Sequence, residues 1–359
     1  MPVKITLTER HQNILRATIQ HYIATAEPVG SKILAEEYAL SVSSATIRNV
    51  MGCLEKAGLL YQPHTSAGRI PSDSGYRIYV DQLLDPDESI GLKIQEYLRG
   101  QLKLEKWSFE AILQRAAKLL SSISGYISLI TIPQTANNQL RHLQLVQVAP
   151  GQVMLIIVTD AYQTQSVLID APSLSWEKEQ EREKLAGELQ ILSNFLNSKL
   201  KGRSLTELST LDWGELDREF KHYGNFLTSL LQKLSHFSQP QTSTPIMVRG
   251  VSEVLREPEF TQLEQVQMLL HLLEEEQDQL LPLIFALPEI GQASKKVNIR
   301  IGAENNLESM RPCTLISAIY KKGNIPVGSV GVIGPTRMLY ENAIALVESA
   351  ADYLSDALS

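Results

Sequence analysis

Cysteine is scarce in this chain: its 359 residues contain only two, Cys53 and Cys313. Two cysteines are too few for a disulfide framework or a cysteine-built zinc site, so a reducing compartment, the cytoplasm, is expected. Long hydrophobic runs are also missing. The most apolar window, residues 153–158, is far shorter than the roughly 18 residues of a membrane-spanning helix. The first residues, MPVKITLTERHQ, lack the apolar run of a signal peptide. We therefore expect no membrane partner.

Motifs for catalysis and for cofactor binding are missing as well. The seven histidines, at positions 11, 21, 64, 142, 222, 236 and 271, include no pair at metal-ligand spacing. Gly328, Gly331 and Gly334 lie three residues apart, which is not the spacing of a dinucleotide-binding loop. We expect no catalytic residues, no cofactor and no metal. Catalytic groups can be assembled from distant residues, so an enzyme fused to a DNA-binding head remains a less favoured class.

A strong positive charge is the third thing the chain lacks, since its net charge is −7. Residues 1–82 carry eight basic and seven acidic side chains, so this segment is +1 and the remainder is −8. If the N-terminal segment binds DNA, phosphate neutralisation alone gives it modest affinity, and base contacts must supply much of the discrimination. The acidic remainder would repel DNA from the rest of the protein.

Residues 28–80 carry the most informative pattern, a helix, a turn, a second helix and a loop with Gly and Arg. A preceding helix is predicted to begin at the N-cap Thr8. Ser31 is expected to cap the next helix, and Ser43 or Ser44 the third, which ends before Gly58. The expected apolar faces are Ile14, Leu15, Thr18, Ile19, Tyr22 and Ile23 on the first helix, and Ala45 or Ile47, Val50, Met51 and Leu54 on the third. This order predicts a winged helix-turn-helix.

The outer face of the third helix is the candidate base-reading surface. Arg48 can form a bidentate pair with guanine and Asn49 with adenine. The alternative is that the serines and Asn49 are only caps of the helix start and that Arg48 is only a solvated surface charge. The predicted DNA contacts are Lys32 on the second helix, Ser43, Ser44, Thr46, Arg48 and Asn49 on the third, and His64, Thr65, Ser66 and Arg69 in the loop that follows.

The loop at residues 64–69 has small residues and a cation that we place at its tip. Small residues permit close approach to a sugar-phosphate backbone and a cation binds it, so the loop is predicted to be the wing, with Arg69 on phosphate. An ordinary surface hairpin with a solvated arginine is the alternative. Ser72 is expected to start a further helix that packs Tyr76, Tyr79, Val80 and Leu83 against the head.

Several segments resemble one known family. They are ITLTERHQNIL, PVGSKILAEEY, SSATIRNVM and PHTSAGRIPSDSGYRIYVDQLL near the N-terminus, and GVIGPTRMLYENAIALVE at residues 331–348. These motifs are similar to those of the heat-inducible transcription repressor family, HrcA. One departure is Gly52, inside the third helix, which costs about 1 kcal/mol of helix stability relative to Ala.

The rest of the chain predicts an α+β architecture with one domain inserted in another. Strand-like segments before residue 172 and after residue 245 flank a helical block. The resemblance implies that the outer part is GAF-like and that the inserted, mainly helical part is a dimerisation domain. The expected divisions are residues 1–84 for the winged helix-turn-helix, 85–107 for a linker and connecting helix, 108–172 and 245–359 for the GAF-like α/β domain, and 173–244 for the insertion.

The resemblance also implies a function. It is repression of heat-shock chaperone genes by a homodimer bound to an inverted-repeat operator in double-stranded DNA, called CIRCE. The chaperonin GroEL would promote the active form of the repressor, and heat stress would inactivate the repressor. The alternative is a regulator whose GAF-like domain senses a small ligand and thereby changes the geometry of the head.

Overall fold

The computed structural model describes residues 7–38, 40–65, 67–84, 88–102, 109–133, 139–159, 164–175, 178–203, 246–285 and 296–358. The chain forms two compact units. The first contains Met1–Trp107, Ala111–Ile132 and Pro245–Ser359, and the second contains Ser108–Glu110 and Pro133–Thr244.

Three helices and a short hairpin open the first unit. The helices are α1 (Glu9–Thr25), α2 (Ser31–Glu37) and α3 (Ser44–Lys56). Strands β1 (Leu60–Tyr61) and β2 (Ile70–Pro71) pair antiparallel. Helix α4 (Asp73–Ile78) follows and continues as a π-helical turn over Tyr79–Leu83. We call residues 7–84 the head.

Local capping chemistry sets the ends of the head helices. The Thr8 side chain accepts a hydrogen bond from the His11 N–H at 3.4 Å, which confirms Thr8 as the N-cap of α1. The prediction that Ser31 caps α2 is wrong. Gly30 holds that position, because its carbonyl accepts the first helical bond from the Leu34 N–H, and Ser31 already lies inside the helix. Gly58, with φ of +75°, closes α3.

The head core comes from the faces that the hydrophobic spacing predicted. On α1 all the predicted positions are buried except Tyr22, which is half-buried. On α3 the buried positions are Ile47, Val50, Met51 and Leu54, whereas Ala45 is exposed. This burial fixes the opposite side of α3 as the side that faces away from the core.

The remainder of the first unit is built on a five-stranded antiparallel sheet of order β7-β3-β10-β9-β8. Its strands are β3 (Ile127–Thr131), β7 (Ile246–Arg249), β8 (Val297–Ile301), β9 (Cys313–Lys322) and β10 (Ile325–Pro335). The chain leaves this sheet after β3 and returns as β7, which pairs with β3 itself. The second unit is therefore inserted between two neighbouring strands. We call the sheet and its helices the body.

Helices cover the body sheet. They are α5 (Glu88–Gln101), α6 (Phe109–Ser124), α8 (Val251–Val254), α9 (Leu263–Glu274), α10 (Gln277–Ile284) and α11 (Tyr340–Leu358). Helix α11 lies against β9 and against α5. The amphipathic spacing of residues 263–281 predicts one helix, but two helices form there, and α10 contains Pro282.

The second unit has a sheet and a core of its own. Strands β4 (Leu140–Ala149), β5 (Gln152–Thr159) and β6 (Thr164–Asp170) form a three-stranded antiparallel sheet, followed by α7 (Glu179–Leu200). Alternate residues of the strands pack with one side of α7; the joint core includes Leu143, Leu155, Leu189, Leu192 and Leu196.

The expected division at residue 172 is therefore wrong. Strands β4, β5 and β6 were assigned to the outer domain, but they pair only with one another among the described strands and bury their apolar face against α7. The inserted unit begins at residue 133, and its described part is sheet and helix together. Most of the helical block expected from residue 173 onward lies outside the described residues.

Candidate nucleic-acid interface

The start of α3 is held by its own side chains. Ser43 is the N-cap, and its hydroxyl oxygen accepts a hydrogen bond from the Thr46 N–H at 3.2 Å. The hydroxyls of Ser43 and Thr46 lie 3.0 Å apart and also hydrogen-bond. Of the two serines that the sequence offered as caps, Ser43 has the capping role and Ser44 is the first helical residue. Both remain exposed at the helix N-terminus.

Opposite its buried side, α3 presents a polar face. Arg48 and Asn49 are exposed one turn into the helix, and Arg48 has no ion-pair partner among the described residues. Lys56 is exposed in the last turn. The predicted contacts Ser44, Arg48 and Asn49 therefore share one accessible surface, to which the structure adds Lys56. Lys32, on α2, is 85% exposed and lies 3.8 Å from Glu36.

A compact loop joins β1 to β2 beside α3. The Gln62 side-chain amide donates to the Thr65 carbonyl at 3.1 Å and to the Ala67 carbonyl at 2.8 Å. The Ala67 N–H donates to the His64 carbonyl at 2.9 Å. His64 and Thr65 are exposed, as a contact role requires. Ser66, also a predicted contact, lies outside the described residues.

The far side of this loop is anchored to the segment between α1 and α2. Val29 and Arg69 exchange two backbone hydrogen bonds, each of 2.9 Å. Gly68 makes this approach possible, since a Cβ there would lie 2.5 Å from the Val29 carbonyl. The PVGS and SAGR segments of the sequence are therefore two sides of one backbone contact.

Arg69 does not lie at the loop tip, which corrects the expectation. It immediately precedes β2, and its Nε donates to Glu55 Oε2 of α3 at 2.9 Å. Its side chain is only 19% exposed. The bridge to Val29 holds its backbone beside the head, and the Glu55 carboxylate is then within reach. Arg69 ties the hairpin to α3.

Two residues that organise this surface were missed by sequence reasoning, Glu55 and Gln62. A signal for Glu55 did exist. A carboxylate in the last turn of a helix is disfavoured by the helix dipole, so its presence there indicates a cationic partner. No comparable signal marks Gln62, because its two acceptors are carbonyls that meet only when the loop closes.

The electrostatics of the surface favour a polyanion. The exposed side of α3 carries Arg48 and Lys56, and the carboxylate of Glu55 on the same helix is neutralised by Arg69. On the adjoining strand, burial and then the nearby Asp73 carboxylate raise the pKa of Tyr61 above its ordinary value. Its half-exposed hydroxyl therefore remains a hydrogen-bond donor at neutral pH.

The described residues offer no competing metal or membrane chemistry. They contain no group of three His, Cys, Asp or Glu side chains that could hold a metal ion. No helix among them is long and apolar enough to cross a membrane.

These features define a mixed α+β protein whose N-terminal head presents one polar, cationic helix face with a tethered hairpin beside it. The chain belongs to the HrcA family. The family model of the HrcA protein C-terminal domain matches residues 110–344. The heat-inducible transcription repressors HrcA of Trichormus variabilis and Nostoc punctiforme are each 59% identical to it over 99% of its length, with 100% and 99% of those proteins covered.

One solved structure extends the similarity to three dimensions. A crystal structure of a hypothetical protein at 2.2 Å resolution matches with a TM-score of 0.65 and 26% identity. The match covers 98% of this chain and 99% of that one. The similarity of fold thus extends over almost the whole chain.

Proposed function

We propose that this protein is a heat-inducible transcription repressor that binds an inverted-repeat DNA operator (CIRCE) of heat-shock chaperone genes as a homodimer. Its head is a winged helix-turn-helix, in which α3 enters the major groove and the β1–β2 loop lies against the sugar-phosphate backbone. The observation that carries the proposal is the exposed face of α3. It places Ser44, Arg48, Asn49 and Lys56 together beside a hairpin that is fixed to the same helix.

The chemistry of these side chains matches the roles we give them. Arg48 and Asn49 can each form two hydrogen bonds with a base edge, to guanine and adenine respectively. Lys56, Lys32, His64 and Thr65 are exposed donors suited to phosphate oxygens. Ser43 and Thr46 act by fixing the start of the helix, and Arg69 by fixing the hairpin.

A second copy of the chain is part of the proposal. One head reads a half-site of a few base pairs, which is too little information to single out an operator among the competing sites of a genome. Two heads related by a two-fold axis read an inverted repeat. We assign dimerisation to the inserted unit and a GAF-like scaffold role to the body. A repressor acts where the DNA is, and the compartment we propose is the cytoplasm.

The switch we propose is the folding state of the repressor itself. Folded proteins are stable by a narrow margin, so a modest rise in temperature can inactivate a marginal one. The chaperonin GroEL would restore the active fold. On heating, other unfolded proteins would occupy GroEL and the repressor would stay inactive. The names of the full-length relatives support a response to heat over a response to a small ligand.

Binding of the full chain to DNA tests the proposal. A duplex carrying the inverted repeat and a scrambled duplex of the same composition are titrated before and after a mild heat step, with and without chaperonin. Circular dichroism confirms that the starting protein is folded. We expect preference for the repeat, loss on heating and recovery with chaperonin. Equal binding of the two duplexes by folded protein would refute the operator, and indifference to heat and chaperonin would refute the switch.

A further inference from the structure

Gly52 lies in the middle of α3, a position where glycine lowers the stability of a helix relative to alanine. An added Cβ at this position would meet no atom within 4 Å in the described part of the chain. Its φ is not in the left-handed region, unlike that of Gly58 just beyond the end of α3. Nothing in the described part of the head therefore requires glycine here.

Other glycines of the head show what a structural requirement looks like. At Gly68 an added Cβ would lie 2.5 Å from the Val29 carbonyl, and at Gly75 it would collide with the Leu59 carbonyl. Both glycines permit backbone segments of the head to touch. An added Cβ at Gly52 has no such neighbour among the described residues, so its missing side chain leaves space for a molecule outside the chain.

The position of Gly52 on α3 indicates what approaches it. It lies seven residues after Ala45, four after Arg48 and three after Asn49, and residues at these spacings share a helix face. Ala45, Arg48 and Asn49 are all exposed. The two smallest residues, Ala45 and Gly52, occupy the middle of the face opposite the core, with Arg48 on one side and Asn49 on the other.

The size of a DNA groove gives this arrangement a consequence. An α-helix with its side chains is about 10–12 Å across, and the major groove is about 12 Å wide. A helix fits with little clearance, so the bulk along its leading line limits how deeply it enters. Small residues on that line allow the backbone to come close to the base edges, within reach of the side chains that flank it.

We propose that Gly52 is the close-approach position of α3, and that its missing side chain sets the depth at which Arg48 and Asn49 meet the bases. Gly52 is thus a positioning residue for base recognition. The inference rests on the proposed function, since it presupposes that α3 enters the major groove. The inference adds to the DNA-binding surface a residue that has no side chain and whose role is to leave room for the base edges.

The decisive measurement pairs stability with DNA binding in the variants Gly52→Ala and Gly52→Leu. The probe is the duplex that the wild-type full chain selects from a random pool, and a scrambled version of it reports non-specific binding. Gly91→Ala is the matched control, because Gly91 is also a partly exposed interior glycine of a helix, α5 of the body, whose added Cβ would meet nothing within 4 Å.

Gly52→Ala should raise the unfolding temperature, as Gly91→Ala should, because alanine favours the helix. It should nevertheless weaken binding to the selected duplex by about tenfold, the typical cost of one mismatched base pair. Gly52→Leu should weaken it further. Non-specific binding, which does not require deep entry, should change much less, so the specificity ratio should fall.

Three results would overturn the inference. One is wild-type affinity for the selected duplex in both Gly52 variants. Another is a lowered unfolding temperature in Gly52→Ala, which would make glycine a requirement of the fold. A third is equal weakening by Gly91→Ala. If the wild-type chain selected no sequence at all, the proposed function would fail instead, and the two failures are thereby distinguished.

Discussion

The guanidinium of Arg77, in α4 of the head, forms two hydrogen bonds with the carboxylate of Glu304 in the body, 227 residues further along the chain. The Nε–Oε1 distance is 2.8 Å. The same guanidinium donates to the Ile299 carbonyl at 2.7 Å. Nearby, the Asp73 carboxylate accepts the Ala303 N–H at 2.8 Å. The head is therefore joined to the body by directed polar contacts.

A second contact joins the same two parts of the first unit. The ring centroids of Tyr76 and Tyr340 lie 5.9 Å apart. Arg337, ion-paired with Glu257 and Glu259, donates to the Ile23 carbonyl at the end of α1. Tyr76 and Arg77 belong to one of the motifs that resemble the family, and Arg337 and Tyr340 to the other. The two motifs are opposite sides of one head–body contact.

Replacing Arg77 by alanine tests this contact. The change removes the guanidinium that donates hydrogen bonds to the Glu304 carboxylate and to the Ile299 carbonyl. We therefore expect the free energy of unfolding to fall by about 1–2 kcal/mol. Urea unfolding followed by circular dichroism measures it. Arg256→Ala is the control, because the Arg256–Glu253 pair is more exposed and should contribute less than about 0.5 kcal/mol. Equal losses of unfolding free energy in the two variants would mean that the Arg77 contact stabilises the protein no more than an exposed ion pair does.

Much of the head could be predicted from the sequence because its signals are local. The spacing of Ile47, Val50, Met51 and Leu54 determines which side of α3 is buried, and a serine before the helix supplies its cap. The apolar stretches at residues 297–301 and 314–320 likewise predict strands, and they form β8 and most of β9, because an apolar stretch of strand length is also a local property. These features depend on residues within one or two helical turns of each other.

Features that depend on distant partners could not be predicted. The strand pattern of residues 140–170 does not say which strands pair, and these strands were assigned to the wrong sheet. The sequence predicts Arg69 at the loop tip, which is wrong. Its ion pair with Glu55 forms only when the loop has closed on Val29, and no local pattern indicates that contact. The meeting of Tyr76 with Tyr340 has the same origin.

Arg48→Ala should affect DNA recognition without affecting the fold. Arg48 is exposed and outside the head core, so the unfolding midpoint should not change. Binding to the operator should weaken by about 1–3 kcal/mol, with relaxed preference at one base pair. Competition among duplexes that differ at single positions measures this. An equal loss on operator and scrambled DNA would instead assign Arg48 to phosphate.

The Arg69–Glu55 pair should be measurable as a coupling within the head. Arg69→Ala and Glu55→Ala each remove one partner of a largely covered ion pair, and each should lower the unfolding midpoint. The double variant should lose less than the sum, with a coupling energy of about 1 kcal/mol. Strict additivity would show that the pair contributes nothing.

The same variants separate a tethering role of Arg69 from a phosphate contact. Lys56, exposed on α3, is the comparison. If Lys56 neutralises one phosphate, Lys56→Ala should reduce the salt dependence of DNA binding by about one unit in the log–log slope. Arg69→Ala should leave the slope nearer the wild-type value, because Glu55 already neutralises Arg69. A full unit lost in Arg69→Ala would restore the phosphate contact first expected from the sequence.

The two cysteines should differ sharply in reactivity. Burial raises the pKa of the Cys313 thiol to about 12, whereas Cys53 is exposed on α3. A thiol-specific reagent at pH 8 should modify one cysteine per chain in the native protein and two in urea, and Cys53→Ser should abolish the native reaction. The pKa of Cys313 is higher in the folded state than in the unfolded state. Between about pH 9 and pH 12 only the unfolded chain releases this proton, so the contribution of Cys313 to stability falls as pH rises. Rapid modification of both thiols in folded protein would contradict the burial of β9 at this position.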